Sequence, residues 1–351
     1  MGFQPFHPSE LTQLPPVNRR YLPAVPVHGF ELGGDERLSE GLQRITLEQF
    51  EIAISGFQGP DADIDTAVHE ARKATKRVRA VLRLVRGEIG GRVYRVENAA
   101  LRDTARLIAP MRDGAVMVDS VRRLRESFGH KLASGVFDEL EGALVDRHLQ
   151  RRQRVLDDEA VFPTVIASLE AARARYAAWP VEPALAATGS PKRTAIRHGF
   201  GALEPGLAAT YGRGRREMQT AMTDPVSEHF HLWRKRVKYL RHQMEVLTPL
   251  WPEVVGGMAK SFDRLGEILG EEHDLAVLLQ LVAGVPSMCP DPVERSLLAA
   301  LAQHRRVELR VAAGALGSRL FAERPEQFVD RMAAYWDAWD APHPLGMGYP
   351  F

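Results

Sequence analysis

The sequence has few of the features that would place it among secreted or membrane proteins. Its single cysteine, Cys289, cannot form a disulfide within the chain, which fits a reducing compartment. No run approaches the roughly 18 apolar residues that a membrane-spanning helix needs. The first residues lack both the charged start and the apolar run of a signal peptide. We therefore expect a cytoplasmic protein that does not engage a membrane.

The sequence also lacks sustained alternation of apolar and polar residues, which would mark half-buried strands. Apolar residues recur at helical spacing instead, so we expect an all-α fold. Residues 1–35 are rich in proline, which blocks helices and central strands, and we expect an extended leader there. We place a helical domain at 36–341 and an irregular tail at 342–351.

Charge is balanced overall but concentrated locally. The chain has 46 basic and 45 acidic residues, a net charge of +1. This balance argues against a wholly basic nucleic-acid coat and favours a defined cationic site. Two stretches carry that charge in one pattern, H-x-x-R-K-x-x-K-x-x-R, offset by 162 positions. The matching residues are His69, Arg72, Lys73, Lys76 and Arg79 in the first stretch, and His231, Arg234, Lys235, Lys238 and Arg241 in the second.

On a helix these positions form one tilted stripe beside an apolar stripe. Extended to Arg83, the first charged stripe is about 21 Å long. A solvated helix would interleave acids at i+4. Glu70 is the only acid between Val68 and Arg86, and none lies between His231 and Arg241. The stripes therefore indicate a polyanionic ligand.

A second echo supports an internal duplication. Leu101, Leu107, Asp113 and Val116 correspond to Phe262, Ile268, Asp274 and Val277 at an offset of 161 positions. We infer two related halves. The first covers about 36–179 and the second about 206–341, and a linker rich in proline and glycine covers about 180–205.

Capping residues set the expected helix boundaries. We expect Ser39 to cap a helix that ends at Gly56, and Asp61, Asp63 and Asp65 to open the first basic helix, which Gly87, Gly90 and Gly91 close. Asp224-Pro225 should open the second basic helix, and Asp291-Pro292 a later one. The other predicted helical segments are Val96–Ala109, Val116–Ser127, Lys131–Leu156, Thr164–Trp179, Leu207–Met222 and Phe328–Trp339.

The stripes favour phosphate contacts. They offer only Trp233 and Tyr239 for base stacking, so nucleic-acid bases would not be recognised. We interpret Asp113 and Asp274 as groups that orient a neighbouring Arg or Lys, with a role as a base left open. The spacing does not suit zinc, whereas Mg²⁺ arriving with a phosphate ligand stays open. The histidines could pack or contact phosphate, and contact would strengthen binding on mild acidification.

These motifs, with Arg112-Asp113, His273-Asp274 and Tyr211-x-x-x-Arg215, resemble the CHAD family, the conserved histidine α-helical domain. The resemblance covers about residues 36–341. It implies two pseudo-twofold related four-helix bundles around a central basic groove, binding of inorganic polyphosphate, and association with polyphosphate granules. It implies ligand contacts from the ten residues of the two stripes together with Arg83. It adds Arg44, Arg213 and Arg215 as weaker candidates.

The sequence looks like a stand-alone member of the family and departs from its pattern at two positions. It has no E-x-E-x-K strand motif of the triphosphate-tunnel domain fused to some members, so enzymatic activity is not implied. Glu245 occupies the position equivalent to Arg83, and His273 the position equivalent to Arg112. The two ends of the groove should therefore differ in charge.

Our leading hypothesis is a non-enzymatic polyphosphate-binding protein with no cofactor and no metal held by side chains alone. Multiple charge-assisted contacts and counterion release would give such binding a steep salt dependence. The alternatives are a protein that binds nucleic-acid backbones, or an enzyme or accessory that cleaves phosphoanhydrides with Mg²⁺ at Asp113 or Asp274.

Overall fold

The described part of the chain consists of helices and their connections. A computed structural model describes residues 29–58, 63–129, 132–133, 135–179 and 196–341. No strand occurs within these ranges, so the prediction of an all-α fold is confirmed. Their α-helices are α1 (Leu38–Ser55), α2 (Ile64–Leu84), α3 (Arg86–Ile89), α4 (Gly91–Leu107), α5 (Ala109–Phe128), α6 (Asp138–Asp157), α7 (Val161–Ala177), α8 (Glu204–Thr223), α9 (Ser227–Leu247), α10 (Gly257–Gly284), α11 (Pro292–Leu320) and α12 (Pro325–Asp340).

Each of the described helices is too short or too polar to cross a membrane. The tail at 342–351, most of the leader and residues 180–195 of the linker lie outside the described residues. The described end of the leader packs on the body of the protein. Phe30 and Leu32 are buried there, and the Leu32 N–H donates to the Val246 carbonyl oxygen at 3.1 Å.

Two predicted caps are wrong. Ser39 lies inside α1, because the helix begins one residue earlier and Glu40 accepts a hydrogen bond from the Arg37 N–H at 3.0 Å. Asp224 does not open α9, since its N–H donates to the Thr220 carbonyl at 2.8 Å and completes the end of α8. α9 begins at Ser227 instead.

Two further predicted caps agree with the structure, whereas two predicted helix starts are wrong, since α5 begins at Ala109 rather than Val116 and α6 at Asp138 rather than Lys131. Asp63 caps α2 by accepting from the Asp65 and Thr66 N–H groups, while Asp61 lies outside the described residues. The Asp291 side chain accepts from the Val293 N–H at 2.8 Å and caps α11. The three glycines predicted to close the first basic helix do not all end it: Gly87 lies inside α3, Gly90 separates α3 from α4, and Gly91 begins α4.

Three hydrophobic cores hold the helices together. The first packs α1, α2, α4 and α7 around residues such as Phe50, Val78 and Leu169. The second packs α8, α9, α10 and α12, together with apolar residues of α1 and α2, around Trp233 and Phe262. Each large apolar side chain buried there contributes about 1.5–3 kcal/mol.

The third core joins α5 and α6 to the C-terminal part of α10 and to α11, through residues such as Val121, Leu140, Leu278 and Ala302. It therefore crosses the predicted division between residues 36–179 and 206–341. The structure does not separate these halves into self-contained bundles, because α5 and α6 bury their apolar faces against the second half. The internal duplication itself stays a prediction.

A buried ionic cluster fixes α10 against α11 and α9. Glu272 is fully buried, and its Oε1 accepts hydrogen bonds from Arg306 and Arg310, each at 2.8 Å. Arg306 also donates to Ser227 Oγ at 2.6 Å, at the start of α9. A buried carboxylate with two such partners is costly to disrupt. The cluster therefore sets the position of the next two residues of α10, His273 and Asp274.

Candidate functional site

The cations of α2 and α9 stand on faces that the cores leave uncovered. In α2 the predicted apolar positions Val68, Ala71, Val78 and Leu82 are buried, and in α9 Trp233, Val237, Leu240, Met244 and Leu247 are buried. The neighbouring positions of each helix then carry the charged stripe. His69, Lys76 and Lys235 are exposed, while Arg234 and Lys238 are half-buried.

The central members of the two stripes meet where α2 packs against α9. The Gln243 side chain donates to the Ala80 carbonyl at 3.3 Å and ties the two helices together. Arg234 and Lys238 of α9 both act electrostatically on Lys76 of α2. Cations that lie 158 and 162 positions apart in the sequence are therefore brought together by the fold.

Burial, followed by the crowding of like charges, lowers the pKa of both lysines. Burial is the largest cause for Lys238, followed by Arg234 and Lys76, and its pKa falls to about 7. For Lys76, burial followed by Arg72 and Arg234 lowers the pKa to about 8. Lys76 nevertheless keeps contact with solvent, as expected for a side chain in a recess rather than in a core. Such groups favour an anion that restores their charge.

A cavity of about 740 Å³ lies on the α10 side of α9. Arg234, Lys238 and Arg241 of α9 line it, and α5 and α11 contribute Arg123 and Arg305. Four carboxylates of α10 also line it: Asp263, Glu267, Glu271 and Asp274. Since α10 also contributes Arg264, the cavity is cationic on the α9 side and acidic on balance on the α10 side.

Only part of the cationic side is neutralised. Arg241 pairs with Asp263 and with Glu245, and Arg305 pairs with Glu271 at 2.7 Å. Arg234, Lys238 and Arg123 form no ion pair with any described residue. The Arg234 Nε is buried without a hydrogen-bond partner, and burial lowers the pKa of this guanidinium. A fixed, unpaired guanidinium beside Lys238 is suited to bind an anionic oxygen.

Gly270 of α10 lets Arg234 lie close to that helix. A Cβ at this position would come within 3.2 Å of Arg234 Nη2. A glycine on the buried face of α10 therefore helps to set the depth of the cavity.

The two predicted orienting acids behave differently. Asp113 of α5 pairs with Arg72 at 3.4 Å. Asp274 of α10 forms no ion pair or hydrogen bond with any described residue, and burial raises its pKa against the opposing effect of Arg234 and Lys238. The charge of Asp113 adds to the raised pKa of Asp274, so both carboxylates lie near the junction of α2 and α9.

The two histidines that open the stripes have unlike surroundings. His69 is exposed, with Glu70 at 3.9 Å. The His231 ring stacks on His273 at a centroid distance of 4.2 Å, and its Nδ1 is buried without a partner in the described part of the chain. Burial first, and then His231 and nearby cations, lower the pKa of His273 to about 4. Burial also lowers the pKa of both His69 and His231.

The outer members of the stripes differ in how they are paired. Lys73 pairs with Glu70 at 3.4 Å, while exposed Lys235 forms no ion pair with a described residue. Arg79 and Arg83 both donate to the Asn98 side-chain oxygen of α4, at 3.0 and 3.1 Å, without a carboxylate.

The three weaker candidates lie in different surroundings. Arg44 is held by Glu36 at 2.6 Å and by Glu48 at 3.2 Å, and its hydrogen bonds to these carboxylates raise its pKa. Arg215 donates to the Phe321 carbonyl at 3.2 Å, a contact within the fold. Arg213 is exposed and shares a cavity with Arg83. Of the three, only Arg213 is free to contact a ligand.

Sequence reasoning missed Arg123, Asn98 and the basic side of α5. Arg112 acts electrostatically on His69 and Lys76, and Arg123 acts on Asp274. The Arg112-Asp113 motif in the sequence could have indicated the role of Arg112. Arg123 and Asn98 had no such signal, because their part in the site depends on how α4 and α5 pack.

The chain is similar to known proteins in both its sequence and its fold. The family model of the CHAD domain matches residues 51–283. A crystal structure of the CHAD domain from the plant Ricinus communis is similar at 17% sequence identity, with a TM-score of 0.49, over 89% of this chain and 96% of that chain. A comparison with curated proteins gives no match.

Proposed function

This chain belongs to the CHAD domain family, and we propose that it binds inorganic polyphosphate where α2 and α9 meet. The family is linked in general to polyphosphate binding. One observation carries the proposal for this chain. Lys76, Arg234 and Lys238 converge from two helices, and none of them forms an ion pair in the described structure.

A chain of phosphates suits this arrangement better than a single anion. Polyphosphate carries a negative charge at every repeat, so many charge-assisted contacts can form along the stripes. Arg can donate to two oxygens at once, while Lys acts as a point charge. Arg72 can exchange its exposed carboxylate partner, Asp113, for phosphate at modest cost, because exposed ion pairs are weak, whereas Arg241 is held by both Asp263 and Glu245.

The acidic side of the cavity shapes how the ligand would lie. Glu267 and Asp274 face the cavity without an ion pair among the described residues. They repel phosphate, so the chain should run along α9 and α2 rather than along α10. We propose binding without catalysis, in the cytoplasm and at polyphosphate granules.

A quadruple substitution tests the assignment. Replacement of Arg72, Lys76, Arg234 and Lys238 by Ala should weaken binding of long-chain polyphosphate by about 100-fold or more, since each charged contact contributes about 1.5–3 kcal/mol. The affinity would be measured by calorimetry or fluorescence titration, with circular dichroism to verify the fold.

A matched control removes the same net charge elsewhere. Arg92, Arg151, Arg154 and Arg319 are exposed and line neither cavity. Their replacement by Ala should leave the affinity nearly unchanged. Equal affinity in both quadruple variants would overturn the assignment.

Two assays on the unmodified protein distinguish polyphosphate binding from the two alternative functions. Duplex DNA at equal phosphate concentration should not displace long polyphosphate, and displacement would favour a nucleic-acid partner. Incubation with polyphosphate and Mg²⁺ should release no phosphate, and release that is lost in Asp113→Ala would favour an enzyme.

A further inference from the structure

A second cavity, of about 320 Å³, lies at the C-terminal end of α2. The residues that line it are distinct from those of the α10-side cavity. Its charged lining is made only of arginines, from four elements: Arg83 of α2, Arg86 of α3, Arg213 of α8 and Arg236 of α9. None of the described residues that line it is acidic.

These four guanidiniums have almost no counter-charge of their own. Within the described ranges, only Arg236 has a carboxylate nearby, Glu217 at 3.9 Å, and the Arg236 Nε is buried without a partner. Arg83 donates to the Arg79 carbonyl at 2.7 Å and to Asn98, which are neutral acceptors. Burial lowers the pKa of Arg83, and Arg79 and Arg236 add to the lowering. Holding these charges together without an anion costs free energy that a ligand could recover.

Two tyrosines hold the arginines in place. The Arg83 guanidinium lies over the Tyr239 ring at 3.7 Å from its centroid, and Arg86 lies over the Tyr94 ring at 4.8 Å. Stacking of this kind fixes the guanidinium planes. Less side-chain freedom is then lost when an anion binds, so the cavity is preorganised.

The second copy of the pattern has Glu245 at the position of Arg83, so it cannot form a second cavity of unpaired arginines. There Glu245 lies 2.9 Å from both Arg241 and His242, and 3.7 Å from Arg77. A carboxylate of the chain itself therefore supplies the negative charge. Only the α2 end keeps its cations available, which gives the two ends unlike chemistry.

We propose that the α2-end cavity binds a terminal phosphate group, either the end of a polyphosphate chain or a free pyrophosphate. A terminal phosphate carries a charge of about −1.5 to −2 near neutral pH and three acceptor oxygens. An internal phosphate of the chain carries one charge and has two free oxygens. Several arginine forks from separate elements match the terminal group better. The chain-end source rests on the proposed function, whereas the pyrophosphate source does not.

The test uses the full chain and three variants. Arg86→Ala/Arg213→Ala removes two exposed arginines of the α2-end cavity, and Lys76→Ala/Lys238→Ala removes the two lysines at the junction of α2 and α9. Arg92→Ala/Arg319→Ala is the matched control for net charge. Each is titrated with inorganic pyrophosphate, and with long polyphosphate whose ends are native or capped with an amine.

The expected results distinguish the two sources. For a free anion, pyrophosphate binding weakens by about tenfold or more in Arg86→Ala/Arg213→Ala, because two charge-assisted contacts are lost, and persists in Lys76→Ala/Lys238→Ala and under saturating polyphosphate. For a chain end, capping weakens binding of long polyphosphate to the unmodified protein but not to Arg86→Ala/Arg213→Ala.

The proposal is overturned if neither pyrophosphate binding nor the effect of capping depends on Arg86 and Arg213, or if the control loses as much affinity. If long polyphosphate does not bind at all while pyrophosphate binding depends on these arginines, the proposed function fails and the second site stands.

Discussion

Lys76 and Lys238 are only partly protonated in the free protein near neutral pH, so part of the positive charge of the site appears only when an anion binds. Their pKa values of about 8 and about 7 leave Lys238 roughly half neutral near pH 7 in the free protein. A bound phosphate raises both pKa values, because an opposite charge favours the protonated amine. Binding and protonation are therefore coupled.

Because binding takes up protons, the affinity for polyphosphate should decrease as pH rises. Above pH 7 to 8 the free lysines lose their protons and the bound ones keep them, so affinity should fall as pH rises to 9. The fall should be at most about tenfold per pH unit for each coupled lysine. Calorimetry at pH 8 in two buffers of different ionisation heat should report net proton uptake.

Arginine supplies the matched control for this prediction. Lys76→Arg/Lys238→Arg keeps both charges at every pH in this range, because guanidinium does not titrate there. The variant should bind polyphosphate with much less proton uptake. Identical binding heats in the two buffers for the unmodified protein would contradict the coupling.

The histidines have a smaller part in this pH range than their place in the pattern predicts. The pKa of His273 is about 4, and those of His69 and His231 are lowered from 6.5. Their charging in the free protein is thus shifted towards lower pH. The sequence placed the pH response on the histidines because it could not show which cations surround each of them.

At the scale of elements, the close contact between α8 and α2 sets the second cavity. Gly206 of α8 lies so near the Arg83 and Leu84 carbonyls that a Cβ would collide with both. Both carbonyls belong to backbone that cannot move aside cheaply. Gly206 therefore fixes the position of the last turn of α2 and of Arg83.

Gly206→Ala should lower the free energy of unfolding by about 3 kcal/mol, since it overpacks a helix contact against backbone atoms. Gly201→Ala is the matched control, because a Cβ there meets nothing within 4 Å. Urea unfolding of both variants measures the difference. A Gly206→Ala protein as stable as Gly201→Ala would show that α8 and α2 can separate without cost.

Local patterns predicted most of the helices and their buried faces, but they did not predict α10 as a helix or every boundary. The apolar stripes of α2 and α9 are buried as expected, because helical periodicity is a local property. Ser39 and Asp224 were wrong as caps, because Glu40 accepts from the Arg37 N–H at the start of α1 and the Asp224 N–H itself completes the end of α8. Pro110 lies at the start of α5, where the helix is interrupted between α4 and α5. The equivalent stretch of the second half, from Phe262 to Val277, has no proline and forms the single helix α10.

At the scale of the whole molecule, the arrangement of helices was harder to infer than their existence. The third core joins α5 and α6 to α10 and α11, and no pattern within one helix encodes that pairing. The same packing brings Arg123 to the α10-side cavity and Asn98 to the α2 cations. The stripe residues could be named from the sequence, whereas their partners depend on tertiary contacts.

The salt dependence of binding tests the central claim most directly. The affinity for long polyphosphate should fall linearly on a log–log plot against salt concentration, and Lys76→Ala/Lys238→Ala should reduce the magnitude of the slope by about 1.4, at about 0.7 per phosphate contact on a single strand. Arg92→Ala/Arg319→Ala should leave the slope as it is. A folded Lys76→Ala/Lys238→Ala protein with unchanged slope and affinity would contradict polyphosphate binding at the junction of α2 and α9.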